Sequence, residues 1–471
     1  MVTVSLERVP ASRRAMAGLL AATAIVACAT LGAPSASAAG TPVQVGLFGT
    51  QDPTYDGVFR QSLALLAFAA AGEAPPQESV DWLLGQQCDD GGFQAFRADT
   101  SEPCTKSDPV NFVGEDSNST ALASAALTVL GELDSASGAL DWLEAAQNAD
   151  GGFPYFLGGT SDVNSTAIAL LATNAVGLAP TQVARAGASA ADYLVGLQVG
   201  CPGVATDEDG GFAYAEFSAG VANDAATVQA ALAITGASLP FAADPPTLDI
   251  PRADCPTPTS TPATPAAPAS TPAAAVAAVT PSSAELAGGY IARTLEAYGN
   301  AIPALDYATG ERKPDTVSAG DTAWAVLSLS AIGVGGAQRD AALDVLLGEV
   351  GGGAARAAAS TSAATAVVSD EAPGLLSLAA LAVVSADGSQ ATAERLVDRV
   401  GDTMRTAPTS VTATPTPTPT SPTPDPSGSS NGGLAPSGAS PLTPGLAGTG
   451  VVLLLLGSAA LGLTRRQGSH S

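Results

Sequence analysis

The chain has 471 residues, 46% of them apolar, but its 51 Gly and 35 Pro are unevenly spread, so only part of its length can build a core. A formal net charge of −26 repels phosphate backbones and excludes nucleic acid as a partner. The one histidine, His470, lies in the C-terminal tail, so neither a metal nor a cofactor is expected in the folded part.

Residues 1–39 read as an export signal: Arg8, Arg13 and Arg14 precede an apolar run over 15–27, and Ala36, Ser37 and Ala38 supply small residues for cleavage. The Arg13-Arg14 pair is similar to a twin-arginine signal, and Cys28 ends a weak lipoprotein-like box. Without Cys28 the exported chain keeps Cys88, Cys104, Cys201 and Cys255, an even number that suits disulfides. Sequence neighbours suggest Cys88 with Cys104 and Cys201 with Cys255. A metal site is the rival use, but no C-x-x-C pair is present.

From residue 40 onward the chain alternates two kinds of predicted helix. The first kind is apolar nearly all round: 56–71, 118–130, 164–176, 223–236, 321–332 and 370–384. The second is amphipathic: 77–87, 137–147, 186–198, a segment around 287–295, 338–350 and 389–404. Asn or Asp opens many of the first kind, where a side-chain oxygen can accept from free backbone N–H groups, and Gly closes several. The fourth apolar helix has no partner until after a Pro/Thr/Ala-rich segment over 244–281, which therefore reads as an insertion within one domain. Six unlike pairs over residues 40–406 predict a ring of six hairpins, apolar helices inside and amphipathic helices outside.

Residues 407–445 are a Pro/Thr/Ser-rich stalk. Residues 446–471 begin with Leu446, Ala447, Gly448, Thr449 and Gly450, continue in an apolar run and end on a tail containing Arg465 and Arg466. That order resembles sortase sorting signals, which would link the protein to the cell wall. A plain transmembrane anchor is the alternative. Either way the body is expected outside the cell, at its surface.

One stretch recurs three times. Trp82, Leu83, Gln87, Gly91, Gly92 and Phe93 align with Trp142, Leu143, Gln147, Gly151, Gly152 and Phe153, and with Tyr193, Leu194, Gln198, Gly210, Gly211 and Phe212. This pattern, with Ala139, resembles the repeat of terpenoid cyclases, found in looser form across the α/α-toroid superfamily. That superfamily includes protein prenyltransferase β-subunits, prenyltransferase and squalene-oxidase repeat proteins, and intrinsic-factor-type corrinoid carriers. The resemblance implies an all-α fold, an α6/α6 toroid, with the Gln and Phe in structural roles. The family's Asp-x-Asp-Asp acid motif is missing; the nearest run is Asp207, Glu208, Asp209 and Gly210. A prenyltransferase zinc site cannot be assembled without histidine.

Two classes of function stay open. A ring gathers Asp116, Asn118, Asp162, Asn164, Asn223, Asp224 and Asp321 at one mouth, with Phe96, Tyr155, Phe156 and Tyr214 on the segments leading to it. This rim suits capture of a small ligand, which the resemblance suggests is a corrinoid or an isoprenoid, or contact with a surface partner. Helix capping is the structural alternative for the acids and amides, and packing between hairpins for the aromatics. The second class is an extracellular enzyme, cyclase-like or glycan-active, for which Glu115 and Asp370 join the carboxylates and two would have to face each other.

Overall fold

The computed structural model describes residues 44–200, 207–242, 282–306, 311–359, 372–386 and 388–407. The export signal, Cys28, Cys201, Cys255, the inserted segment, Asp370, the stalk past residue 407, the sorting signal and its apolar run all lie outside the described residues. Among the described residues no helix is long and apolar enough to cross a membrane.

The chain is mostly helical: α1 Gly57–Ala70, α2 Gln77–Gln86, α3 Ser117–Leu130, α4 Leu133–Ala146, α5 Val163–Ala175, α6 Ala190–Gly196, α7 Asp224–Ala233, α8 Ser283–Ala297, α9 Ala319–Ile332, α10 Gly336–Ala359, α11 Pro373–Ala386 and α12 Gln390–Asp402. Each odd-numbered helix packs against the even-numbered one after it. The odd-numbered helices also contact one another in sequence, α1 on α3, α3 on α5, α5 on α7, α7 on α9 and α9 on α11, and α11 returns to α1.

Burial follows that order. All residues of α3 from Ser117 to Leu127 and of α5 from Val163 to Asn174 are buried, as an alanine-rich helix surrounded by other helices must be. By contrast α4 buries one stripe, Ala136, Ala139, Trp142, Leu143 and Ala146, at helical spacing. Alanine keeps the inner helices slim and costs no side-chain entropy, so their backbones can approach closely. Larger side chains on the turns and outer helices, such as Phe93, Phe153, Phe212 and Tyr290, all nearly inaccessible, pack with the leucines of the inner helices. Burying one such ring contributes roughly 1.5–3 kcal/mol.

Several boundaries differ from those expected. Helix α4 starts at Leu133 rather than 137, and Gly138 within it lies against Gly91 of the preceding turn. Helix α6 starts at Ala190 rather than 186, where Ser189 and Asp192 form a reciprocal capping box. The residues before it fold into a small hairpin, β3 Ala184–Arg185 with β4 Ala188–Ser189. Two more antiparallel hairpins lead into inner helices: β1 Phe153–Pro154 with β2 Ser161–Asp162, and β5 Pro303–Leu305 with β6 Arg312–Val317. Alternation over two or three residues is too short to register as strand in the sequence, and the six-residue β6 has no buried face to give it an apolar alternation.

Candidate functional site

The recurring stretch builds a joint between successive hairpins. Gln87 Nε2 donates to the Gly91 carbonyl of its own turn (3.0 Å) and to Ser135 of the next outer helix (2.8 Å). Gln147 repeats this with Gly151 (2.8 Å) and Val183 (3.1 Å), and Gln198 with Gly210 and Ser283 (both 2.8 Å). The third joint spans the inserted segment and ties α6 to α8. Gly91, Gly151 and Gly210 all have φ near +90°, and a Cβ on any of them would fall into the backbone of the neighbouring hairpin.

The aromatic that ends each turn is locked from the inner helix. Phe93 N donates to Thr120 Oγ1 (2.9 Å), Phe153 N to Thr166 Oγ1 (2.9 Å) and Phe212 N to Thr227 Oγ1 (2.8 Å). Ile302 N does the same with Thr322 Oγ1 at 3.0 Å, although its turn has lost the aspartate and glycines. The threonine partner is a feature that sequence reading missed. It was detectable, because a threonine stands at the same place in each of these inner helices.

These joints deliver the acidic and amide residues to the inner-helix starts. Asp116 caps α3, accepting from Ser119 N at 2.7 Å, and Asp162 caps α5, accepting from Ser165 N and Oγ, both at 2.8 Å. Asn223 caps α7 through Ala226 N at 2.9 Å. Asp321 instead sits in the first turn of α9 and accepts from Ser318 Oγ at 2.6 Å. Capping is therefore part of what the residues do.

It does not use all of their polar atoms. Asp116 is 1% exposed, its carboxyl is held by Ser119 and the Asn118 backbone, and among the described residues its Oδ2 has no further close partner. Asn164 donates from Nδ2 to Gln229 Oε1 (3.0 Å), while its buried Oδ1 is likewise unpartnered. Asn118 has one long contact, from Ser117 Oγ at 3.5 Å. Burial raises the carboxyls of Asp116 to about 7 and of Asp162 and Asp321 to about 6, because desolvation disfavours the ionised form.

The aromatics connect neighbouring starts. Ser117 N, at the start of α3, donates to the Tyr155 carbonyl, and Val163 N, at the start of α5, to the Tyr214 carbonyl, both at 2.9 Å. Tyr155 lies edge-on to Phe156 (4.6 Å between centroids), which meets Phe112 (6.2 Å), and Tyr214 meets Phe217 (6.1 Å). Burial, and then the charges of Asp116 and Asp162, push the Tyr155 phenol well above its ordinary value; burial and Asp162 do the same to Tyr214. Phe96 stands apart from this run, stacked on Trp82 at 6.5 Å.

Asp224 is engaged in a way the sequence did not reveal. Arg312, on β6, donates from Nε to Asp224 Oδ2 (2.7 Å) and from Nη2 to Oδ1 (2.8 Å), and Tyr290 OH donates to Oδ1 at 2.6 Å. Arg312 also lies over the Tyr298 ring at 5.6 Å. The buried Asp224 is thus paired with a cation, whereas among the described residues no cation is bound to Asp116 or Asp162. A lone arginine in a segment without helical pattern gave no sequence signal for this pairing.

Cys88 and Cys104 are joined by a disulfide. It closes the loop leading to α3, in which buried Arg97 donates to the carbonyls of Gln87, Thr100 and Glu102. Lys106 bridges Asp90 (2.6 Å) and Glu115 (2.9 Å) in the same loop. With both sulfurs bonded to each other, their closeness to Glu115 is not a metal-ligand set. Away from the inner-helix starts, a wide-open depression of about 440 Å³ lies between this turn and α4, lined by Asp89, Asp90, Asp134 and Asp141.

No protein-family model and no curated protein sequence matches the chain. Among solved structures it is similar to a protein from Actinoplanes, at 16% identity and a TM-score of 0.37, over 64% of this chain and 74% of that one. It is also similar to Candida albicans protein geranylgeranyltransferase-I complexed with GGPP, at 15% identity and a TM-score of 0.26, over 36% of this chain. In that case the match spans about half the length of the other chain, 48%. Both likenesses are distant.

Proposed function

We propose that the protein is a non-catalytic binding protein, anchored at the bacterial cell surface, that captures a small ligand at the mouth of an α6/α6 toroid of the terpenoid-cyclase and prenyltransferase kind. The toroid reading is supported by the cyclic contacts of the odd-numbered helices and by the Gln, Gly-Gly and Phe joints. Anchoring rests on the sequence at the two ends.

The observation that carries ligand capture is the buried Asn164 Oδ1, which has no partner among the described residues, together with the incompletely used carboxyl of Asp116 at the start of the adjacent inner helix. An unsatisfied buried polar atom costs about 1–3 kcal/mol, so a ligand hydroxyl that hydrogen-bonds to both recovers stability on binding. Tyr155, Tyr214 and Phe156 add an amphipathic rim to the same mouth.

A second reading, an enzyme at that mouth, has one observation in its favour. The Asp116 carboxyl, held at about 7, is protonated often enough near neutrality to serve as a general acid. Native mass spectrometry of the protein released from its host's surface separates the two. A retained, chemically unchanged small molecule supports capture. An apo protein that converts a cyclisable isoprenoid or a glycan supports the enzyme and overturns capture.

A further inference from the structure

The geometry points to a neutral oligosaccharide as the ligand class of this mouth, an inference that rests on the binding reading above. Five rings run across the segments entering α3, α5 and α7: Phe112, Phe156, Tyr155, Tyr214 and Phe217. Ring contacts of 6.2, 4.6 and 6.1 Å link Phe112 to Phe156, Phe156 to Tyr155, and Tyr214 to Phe217. The backbones of Tyr155 and Tyr214 accept from the starts of the adjacent helices α3 and α5, through Ser117 N and Val163 N, both at 2.9 Å. The two ends of the run are open to solvent, Phe112 at 50% and Phe217 at 68% exposure.

The exposed end at Phe112 lies in a short loop closed by Asp108 and Val113, whose backbones exchange hydrogen bonds. The Cys88–Cys104 disulfide and the Arg97 bonds to backbone carbonyls fix the loop, and Ser107 Oγ accepts from Leu157 N at 2.7 Å, tying it to the next turn. Phe112 itself has φ +54°, a left-handed conformation that costs a bulky residue energy. A strained, half-exposed aromatic on a tethered loop contributes little to the core and is free to meet a ligand.

What meets such a surface must satisfy two demands together. The rings need C–H groups or another apolar face against their negative π-clouds. Asn164 Oδ1 needs a hydrogen-bond donor, and Asp116 Oδ2 needs a donor when ionised and an acceptor when protonated, so a hydroxyl, which offers both, suits it in either state. A lipid chain meets the first demand and leaves these polar atoms bare. A pyranose meets both, with its C–H face on a ring and its hydroxyl edge on the polar atoms. The net charge of −26 then selects against uronic-acid or phosphate-bearing glycans and leaves neutral ones.

The test is saturation-transfer-difference NMR on the full-length protein with maltohexaose, cellohexaose, laminarihexaose and chitohexaose as probes, followed by titration of any that binds. The expected result is saturation on the C–H face of at least one probe. Phe112→Ala and Phe217→Ala should each weaken its affinity by about fivefold, the scale of a lost aromatic contact, with the melting temperature unchanged. Asp116→Asn, which keeps an oxygen for the α3 cap, reports the carboxyl and should also weaken binding.

No binding of any probe at millimolar concentration overturns the inference, and so does binding that neither phenylalanine substitution alters. A retained non-sugar molecule in the native mass spectrum, with no probe bound, overturns the sugar class while leaving capture at the mouth standing. A probe that binds through the rings but is cleaved supports the sugar class and overturns the non-catalytic reading instead.

Discussion

The backbone N–H of Gly46 donates to the carbonyl of Arg405 at 2.9 Å, joining the two ends of the described chain. Arg405 N in turn donates to Leu47 O, and Gly49 N to Thr403 O. Phe48, whose N–H is accepted by Gln61 Oε1 at 3.0 Å, takes the place that Phe93 and Phe153 hold in the other joints, and Trp82 Nε1 donates to Gln44 Oε1 at 3.1 Å. The joint after α12 is therefore split, its helix at one end of the chain and its aromatic at the other. Phe48→Ala should lower the unfolding free energy by about 3–5 kcal/mol, the range for emptying a buried aromatic site. Gly46→Ala should also destabilise, because Gly46 has φ +89° and a Cβ there would enter the Glu78 carbonyl. Urea denaturation of both variants checks this.

The Gln198 joint spans the inserted segment. Its amide donates to Gly210 O and Ser283 O and accepts from Ser283 Oγ at 2.6 Å. Gln198→Ala should cost about 1–3 kcal/mol by stranding partly buried carbonyls. Hydrogen exchange should locate the loosening at the start of α8. Unchanged protection there would show that contacts other than those of the glutamine position α8.

Arg312 is the counter-ion of Asp224, whose side chain is only 2% exposed. Arg312→Ala leaves that carboxylate uncompensated and should cost about 3–5 kcal/mol. Adding Asp224→Asn should recover much of the loss, since the buried charge disappears with its partner. A double-mutant cycle by thermal unfolding measures the coupling.

The raised carboxyls make a pH prediction. In the unfolded chain an aspartate titrates near its ordinary value of about 4. Folded Asp116 holds its proton to about 7, and Asp162 and Asp321 to about 6, through desolvation. Between those limits the native state binds more protons than the unfolded state, so the contribution of these groups to stability is fully present below about 4 and falls as pH rises to 7. Asp116→Asn should flatten the upper part of that fall, giving a smaller loss in melting temperature between pH 5 and pH 8, conditions chosen to bracket the titration. An unchanged pH profile would show that Asp116 is ionised in the native state throughout.

Replacing Cys88 and Cys104 together by serine should cost about 3 kcal/mol, the scale for a closed loop of this length, 16 residues in sequence separation. Limited proteolysis should then cut between residues 98 and 113 before any helix. If cleavage begins elsewhere, the Arg97 and Lys106 contacts suffice to hold the loop.

The helix pairs were legible because burial leaves a direct mark on composition. An enclosed helix must be small and apolar all round, as α3 and α5 are, while an outer helix shows a stripe such as that of Trp142 and Leu143. The repeated stretch was legible as a structural unit for a similar reason: a fixed turn needs glycine wherever a Cβ would strike the next hairpin, as at Gly91. The first-turn acids of the inner helices also stood out, through their local capping chemistry.

Returns between distant positions left no such mark. Nothing local couples Gly46 to Arg405, Arg312 to Asp224, or Phe112 to Phe156, because each pairing depends on where the ring of contacts brings separate hairpins. The same limit applies to the candidate site. The sequence by itself determined an all-helical body of alternating apolar and amphipathic helices, and which acids, amides and aromatics lead into them. Only the tertiary structure decided which of those groups are used up: Asp224 is paired with Arg312, Phe96 is spent on Trp82, the Asp116 carboxyl is incompletely used, and the buried Asn164 Oδ1 has no partner among the described residues. Capping is a contact within one helix turn and is written locally, whereas an unsatisfied atom is defined by everything that surrounds it.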